Sequence, residues 1–348
     1  MKGVVFRAPY DLRLEDVDDP RVESPGDVIV EVELAAICGS DLHPYRGREE
    51  GLEPGTVMGH EFLGTVVARG AEVRSFKEGD RVVAPFTTSC GECPYCLCGL
   101  TARCERGQLF GWIENGEGLH GGQAESVRVP LADTTLAKVP EATPPEAALF
   151  AGDILSTGLF AADMAGVAAG ATVAVLGCGP VGLMAIVACR QRGAAEVLAI
   201  DPVPERRSLA QSLGAVALGP RGPEGAHTPA SARRVDSVLE MVGSQEASRL
   251  AFELVRPGGT IAAAGVHSEA AFAFSPGDAY DKNLTYRAGR CPVRAYLEEA
   301  LEVAAVRSEE LVGIVTDRVG LEDAVEAYRR FDRRQDGCVK VLLVPERP

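Results

Sequence analysis

The sequence predicts an α/β chain in which a doubly wound parallel sheet accompanies a smaller antiparallel β domain. Three observations carry that expectation. Residues 1 to about 85 break into short apolar runs, GVVFRA, DVIVEVELAAI, GTVVARGA and DRVVAPF, punctuated by Pro-Gly and Glu-Gly, as strands joined by turns require. Further on, TVAVLG, PVGLMAIVACRQ, EVLAID, ERRSLAQSLGA, VDSVLEMVG, QEASRLAFELV and GTIAAAGV alternate strand and helix character, which is the signature of a parallel sheet with crossover helices. From about Pro292 two helical stretches, AYLEEALEVAAV and LEDAVEAYRRF, and a last strand, CVKVLLV, return the chain to the first domain. The expected domains are therefore 1–155 with 292–348, and 156–291.

Composition limits the function classes. With 348 residues, 46% hydrophobic and 24% charged, the chain is long enough for two domains of ordinary size. A net charge of -15 repels a phosphate backbone, so no nucleic acid is expected as a partner. The opening MKGVVFRAPYDLRLED lacks the apolar run of a signal peptide, and no membrane-spanning stretch follows, so a cytoplasmic protein without a membrane partner is expected. Ten cysteines in a reducing compartment then point to metal binding.

Taken in order, the first chemistry-bearing stretch is C-G-S-D-L-H, from Cys38 to His43, followed by G-H-E at Gly59, His60 and Glu61. A thiolate with an imidazole is a donor pair that zinc prefers, which makes Cys38 and His60 candidate ligands. Next, Cys90, Cys93, Cys96 and Cys104 follow the spacing C-x2-C-x2-C-x7-C of a closed four-thiolate zinc lobe, placed at 88–106. Cys98 competes with Cys96 for the third place, and only spacing favours Cys96. In the glycine-rich stretch 107–122, Phe110 and Trp112 either line a pocket or pack beneath the loop. A strand pair is expected within QAESVRVPLADTTLAKVP, and a helical run from Pro145. Asp153 interrupts that apolar run; a buried carboxylate needs a neutralising partner such as a metal ion, the alternative being a helix cap.

The strand TVAVL leads through Gly177, Gly179 and Gly182 into a helix, with Asp201 nineteen residues past the last glycine at the end of the next strand. This context makes G-x-G-x-x-G a dinucleotide fingerprint. The glycines make the turn, admit the pyrophosphate and let helix and strand pack, while Asp201 suits the adenosine ribose of NAD. Pro180, Val181, Gly265 and Val266 are expected beside the cofactor. Arg206 and Arg207 raise the alternative of a 2′-phosphate, although Arg206 also suits stacking on adenine and Arg207 a solvated helix face. The segment between Gly219 and Arg234 is too rich in Gly and Pro for a regular helix and is expected to be a loop.

These motifs together, with GHEFLGTVV and VLGCGPVG, resemble the zinc-containing alcohol dehydrogenases of the medium-chain dehydrogenase/reductase family over essentially the whole chain. The resemblance implies a GroES-like domain beside a Rossmann domain, and NAD-dependent, zinc-assisted hydride transfer between an alcohol and an aldehyde or ketone. It implies Cys38, His60 and Asp153 as catalytic zinc ligands, giving two zincs per chain. Glu61 would then be able to approach the metal, and Asp41 would orient His60. A proton would leave through Ser40, then a ribose hydroxyl of the cofactor, then His43, His43 being alternatively a surface histidine. Thr157 would sit near the nicotinamide, and Phe86 and Trp112 would line an apolar substrate pocket. Where liver-type relatives carry a basic residue after the first ligand this chain has Gly39, so Lys340 is expected to serve the cofactor. A homotetramer is implied, with the strand NLTYRAG at an exposed edge. Polyol, amino-alcohol or formaldehyde dehydrogenase-like enzymes are alternative readings, as is a zinc and nucleotide sensor.

Overall fold

The structure, a computed structural model, describes residues 1–219, 234–267 and 271–346. It divides into two units, Met1–Ser156 with Pro292–Pro348, and Thr157–Cys291. The loop expected between Gly219 and Arg234 falls on 220–233, outside the described residues.

In the first unit one sheet orders the strands Asp317–Gly320, Val341–Val344, Val28–Ile37, Glu61–Arg69, Arg81–Val83 and Ala137–Lys138, with Ser126–Val129 also pairing to Val28–Ile37. Val28, Val30, Val32 and Ala35 pack into one core with Phe62, Val66, Phe110 and Tyr328. Register decides what this sheet presents at its end. Ala36 lies opposite Glu61 and Ile37 opposite Val341, both antiparallel, so Cys38, His60 and Lys340, each one residue beyond a strand, converge.

Three local expectations need correction. The stretch 123–140 is not a strand pair: Ser126–Val129 joins Val28–Ile37, and Ala137–Lys138 joins Arg81–Val83. Leu131, at φ 52, turns the chain into the short helix Ala132–Thr135 between them. The glycine-rich stretch holds a hairpin, Trp112–Glu114 with Glu117–Leu119, whose turn is Asn115 and Gly116 at φ 53 and 73. Asn-Gly suits the paired positive φ of such a turn. The apolar run from Pro145 is two helices, Pro145–Ala151 and Ile154–Met164, bent by 46°. At Gly152 a Cβ would lie 2.4 Å from the Ala84 carbonyl oxygen, so the chain passes the sheet too closely for a side chain there.

In the second unit six parallel strands are ordered Val216–Leu218, Glu196–Ile200, Thr172–Leu176, Val235–Glu240, Val255–Ala263 and Thr285–Ala288. The order reverses on either side of Thr172–Leu176, and such a switch point opens a crevice beyond the strand's C-terminal end. The helix Pro180–Gln191 starts there. Among the described residues no single helix is long and apolar enough to cross a membrane.

Candidate functional site

The convergence in the first unit builds a compact donor cluster. Ligand atoms of Cys38, His60, Glu61 and Asp153 all lie within 4.8 Å of one another. Asp153, at the bend between the two helices, places Oδ2 3.4 Å from His60 Nε2 and 3.5 Å from Cys38 Sγ. Ser40 Oγ is 3.2 Å from both Cys38 Sγ and His60 Nε2. On the far side of the ring Asp41 Oδ1 faces His60 Nδ1 at 3.1 Å, which leaves Nε2 to the cluster.

The electrostatics of this cluster fit a cation. Burial, then Asp153 and Glu61, push the Cys38 thiol up to about 11. Burial would lower His60, but Asp41 and Cys38 outweigh it and hold the imidazole well above its ordinary range. A divalent ion in this place would neutralise sulfur and carboxylate together. Sulfur, imidazole and carboxylate together are a zinc donor set.

Lys340 requires a correction. Expected to serve the cofactor, it is 0% exposed, and its ammonium donates to Glu61 Oε1 and Oε2 at 2.6 and 2.7 Å and to the Ile37 carbonyl at 3.3 Å. Those three bonds exhaust its donors. Burial opposes the charge on Lys340, but Glu61 holds its pKa above the usual lysine value. Glu61, fully buried, therefore stands beside the cluster already paired.

His43 sits in the short helix Leu42–Tyr45, where burial pushes its imidazole below the ordinary value, and its backbone N–H donates to the Ser40 carbonyl at 3.0 Å. Phe86 is buried with its ring edge-on to His60, centroids 6.3 Å apart. Trp112 packs against the core and its indole donates to Glu114 at 3.3 Å.

The cysteine lobe forms a second cluster. Sulfurs of Cys90, Cys93, Cys96 and Cys104 lie within 4.8 Å of one another. Cys98 is exposed, with Sγ 3.3 Å from the Tyr95 carbonyl, so Cys96 is the member that faces its partners. Backbone N–H groups point at sulfur: that of Cys90 at Cys104 (3.2 Å) and that of Cys93 at Cys90 (3.3 Å). Burial would raise Cys90, but the amides of Glu92 and Cys93 and the Arg106 guanidinium draw it down to about 6. Burial, helped by neighbouring thiols, pushes Cys96 up to about 12. Four sulfurs this close are the donor set that could close the tetrahedron of a structural zinc.

In the second unit the glycine turn has the geometry its sequence requires. Gly177 has φ +87, and a Cβ on Gly182 would lie 1.8 Å from the Gly177 carbonyl oxygen, so helix and strand touch there. Gly179 caps the helix that Pro180 and Val181 begin, leaving its first N–H groups for an anion. Asp201 is buried at the end of Glu196–Ile200; its Oδ2 accepts from Cys178 N at 2.7 Å and its Oδ1 from Val203 N at 2.8 Å. Arg206 Nη1 is 3.9 Å from Asp201 and 3.6 Å from where a Gly179 Cβ would be. Arg207 donates to the backbone carbonyls of Asp201 and Pro202. Gly265 and Val266 follow Val255–Ala263 and press against Gly243, at φ +78, where a Cβ would be 2.1 Å from the Val266 oxygen. Thr157 is buried in the helix Ile154–Met164.

Two groups escaped the sequence reading. Glu240, 0% exposed, accepts from Val242 N and Gly243 N and meets His267 Nε2 at 2.7 Å, fixing the turns after two central strands. Gln123 and Tyr328, both 0% exposed, stand behind Asp41. The one available signal was a polar residue in a stretch expected to be half-buried.

Residues 24–141 match the family model described as alcohol dehydrogenase GroES-like domain, and residues 180–306 that described as zinc-binding dehydrogenase. The chain is 41% identical over 347 residues to zinc-type alcohol dehydrogenase B of Aspergillus flavus, covering 95% of this chain and 79% of that one. Its fold is similar to the solved alcohol dehydrogenase TADH from Thermus sp. ATN1, with TM-score 0.93, 40% identity and coverage of 99% and 100%. It is also similar to a zinc-binding dehydrogenase from Sinorhizobium meliloti bound to NADP, with TM-score 0.83, 29% identity and 99% coverage of each chain.

Proposed function

This chain belongs to the zinc-containing alcohol dehydrogenases of the medium-chain family, and from that premise we propose that it oxidises a primary or secondary alcohol to an aldehyde or ketone, reversibly, with NAD. The observation that carries the reading is the meeting of Cys38, His60 and Asp153 within 4.8 Å, with Ser40 Oγ 3.2 Å from two of them. Cys38, His60 and Asp153 would hold one zinc, and Cys90, Cys93, Cys96 and Cys104 a second.

A zinc ion held by Cys38, His60 and Asp153 would supply a Lewis acid for an alcohol oxygen, and a nicotinamide cofactor would supply the hydride acceptor. The chain's own residues do the rest. Asp41 Oδ1 accepts a hydrogen bond from His60 Nδ1–H and so presents Nε2 to the cluster. Ser40 Oγ, 3.2 Å from Cys38 Sγ and from His60 Nε2, would take the proton that the substrate hydroxyl gives up as it hands on its own, and His43, whose imidazole burial pushes below its ordinary value, would pass a proton on toward water. Buried Phe86 beside His60 supports an apolar pocket that excludes water. Progress curves at the reduced-cofactor absorbance, run over a panel of alcohols and aldehydes, test the activity; no turnover with any of them counts against it.

NAD is proposed over NADP because Asp201 is fixed by two backbone N–H groups and cannot swing away from a 2′-phosphate. Arg206 near Asp201 and the NADP in the Sinorhizobium meliloti structure weigh on the other side. We expect kcat/KM with NAD to exceed that with NADP by at least about tenfold, equivalent to about 1.4 kcal/mol. Asp201→Gly should narrow the gap, and equal or better turnover with NADP would overturn this reading.

A homotetramer, a dimer of dimers, is proposed from the sheet edge. Thr285–Ala288 ends the six-strand order with Thr285, Arg287 and Ala288 exposed, and the exposed rings of Phe272 and Tyr280 belong to the same unit. Light scattering at micromolar concentration should give about four chain masses; one chain mass excludes it. The free thiols needed for both zinc sets support a cytoplasmic setting.

A further inference from the structure

His60 depends on more than Asp41. Behind that carboxylate lies a run of buried polar groups drawn from distant parts of the chain. Tyr328, on the helix Ala324–Arg333, donates its hydroxyl to Gln123 Oε1 at 2.8 Å. Gln123 Nε2 donates to Asp41 Oδ2 at 3.2 Å and to the Ala36 carbonyl at 3.1 Å. Asp41 Oδ2 also accepts from Cys38 N at 2.9 Å, which leaves Oδ1 facing His60 Nδ1 at 3.1 Å.

The direction of each bond follows from the groups available. An amide has one donor end and one acceptor end, and turning Gln123 over would set its oxygen against the Asp41 carboxylate and the Ala36 carbonyl. Those two acceptors select the observed orientation, and the Tyr328 hydroxyl, donating to the oxygen end, holds the amide in it from the opposite side. Burial, with Asp41 nearby, holds the Tyr328 pKa well above its ordinary value, so the hydroxyl keeps its proton. The residue before His60 is shaped to the same arrangement. Gly59 has φ +95, and a Cβ there would lie 2.3 Å from Gln123 Cγ. Any side chain at 59 would therefore push Gln123 off Asp41.

We propose that Gln123 and Tyr328 are positioning residues for the metal ligand His60, acting through Asp41 to fix the imidazole with its proton on Nδ1 and its Nε2 toward Cys38 and Asp153. This rests on the reading of that cluster as the catalytic zinc site. Groups bonded directly to a metal ligand, as Asp41 is to His60, typically tune its affinity about 10–100-fold, which sets the ceiling for residues that act through Asp41.

The test is chelator competition for zinc on the full chain, comparing wild type, Tyr328→Phe and Gln123→Leu, with the cysteine lobe as internal reference. Retention at the Cys38 cluster should weaken about tenfold in each variant while the lobe keeps its zinc. Nitrogen NMR of the His60 ring should also show the Nδ1 proton less well fixed. Should Gln123→Leu fail to fold, Tyr328→Phe, which removes one oxygen from an otherwise unchanged ring, still decides the matter. Retention equal to wild type at the Cys38 cluster, or equal weakening at both clusters, overturns the proposal. A wild-type chain that takes up no zinc at the Cys38 cluster overturns the zinc reading and this inference with it.

Discussion

Cys38→Ser is expected to abolish turnover while the fold and the cysteine lobe survive. The thiol is buried at the end of Val28–Ile37, beside Asp153 at 3.5 Å, and contributes to the donor cluster but little to core volume. A hydroxyl fills nearly the same space and hydrogen-bonds in the same surroundings, but it is a far poorer zinc ligand than a thiolate. Zinc assistance is worth several kcal/mol in the transition state; losing about 4 kcal/mol of it lowers kcat/KM roughly a thousandfold. Metal analysis should find two zincs per chain in wild type and one in Cys38→Ser, with unchanged circular dichroism. Cys93→Ser should do the converse, lowering stability through the lobe before it touches the chemistry. Cys38→Ser protein retaining a tenth or more of wild-type turnover would remove Cys38 from the catalytic set.

What the sequence made legible was local. Gly177 and Gly182 announce themselves because one backbone angle and one close approach admit no other residue, and both lie within a few positions of each other. The lobe cysteines are equally local, and Asp153 stood out because an unpaired carboxylate in an apolar run is costly. Lys340 was misplaced for the opposite reason. Its pairing with Glu61 depends on the two registers that bring Val341 and Glu61 to the end of Val28–Ile37, and no nearby residue encodes a register. Gln123 and Tyr328 were missed alike, since the bond joining them spans 205 positions. The strand Asp317–Gly320 is four residues long and too short to show a period, and it is recognisable only beside Val341–Val344. The hairpin at Trp112–Glu114 is a different case. Its Asn-Gly turn was a sufficient signal, obscured by the glycines around it.

Lys340→Met should be the most destabilising single substitution near the cluster. The pair is fully buried on both sides, and methionine matches the aliphatic stem of lysine, so the change removes the charge with little change in packing. Glu61 is then left without its cation beside Asp153, a second carboxylate, and Cys38. Removing one member of a buried ion pair costs about 3–5 kcal/mol, because the remaining charge keeps its desolvation penalty and loses its partner. The pair as a whole is worth much less than that, which makes the interpretation testable. Adding Glu61→Gln to Lys340→Met should recover most of the loss, since two neutral groups need no counter-charge. Lys138→Met is the control: its ammonium is about half exposed against Asp80, and such a pair contributes little. Denaturant unfolding of the four proteins decides between a charge effect and a packing effect. If the double variant is no more stable than Lys340→Met, stranded charge on Glu61 is not what Lys340 prevents, and the ammonium holds the sheet end chiefly through the Ile37 carbonyl.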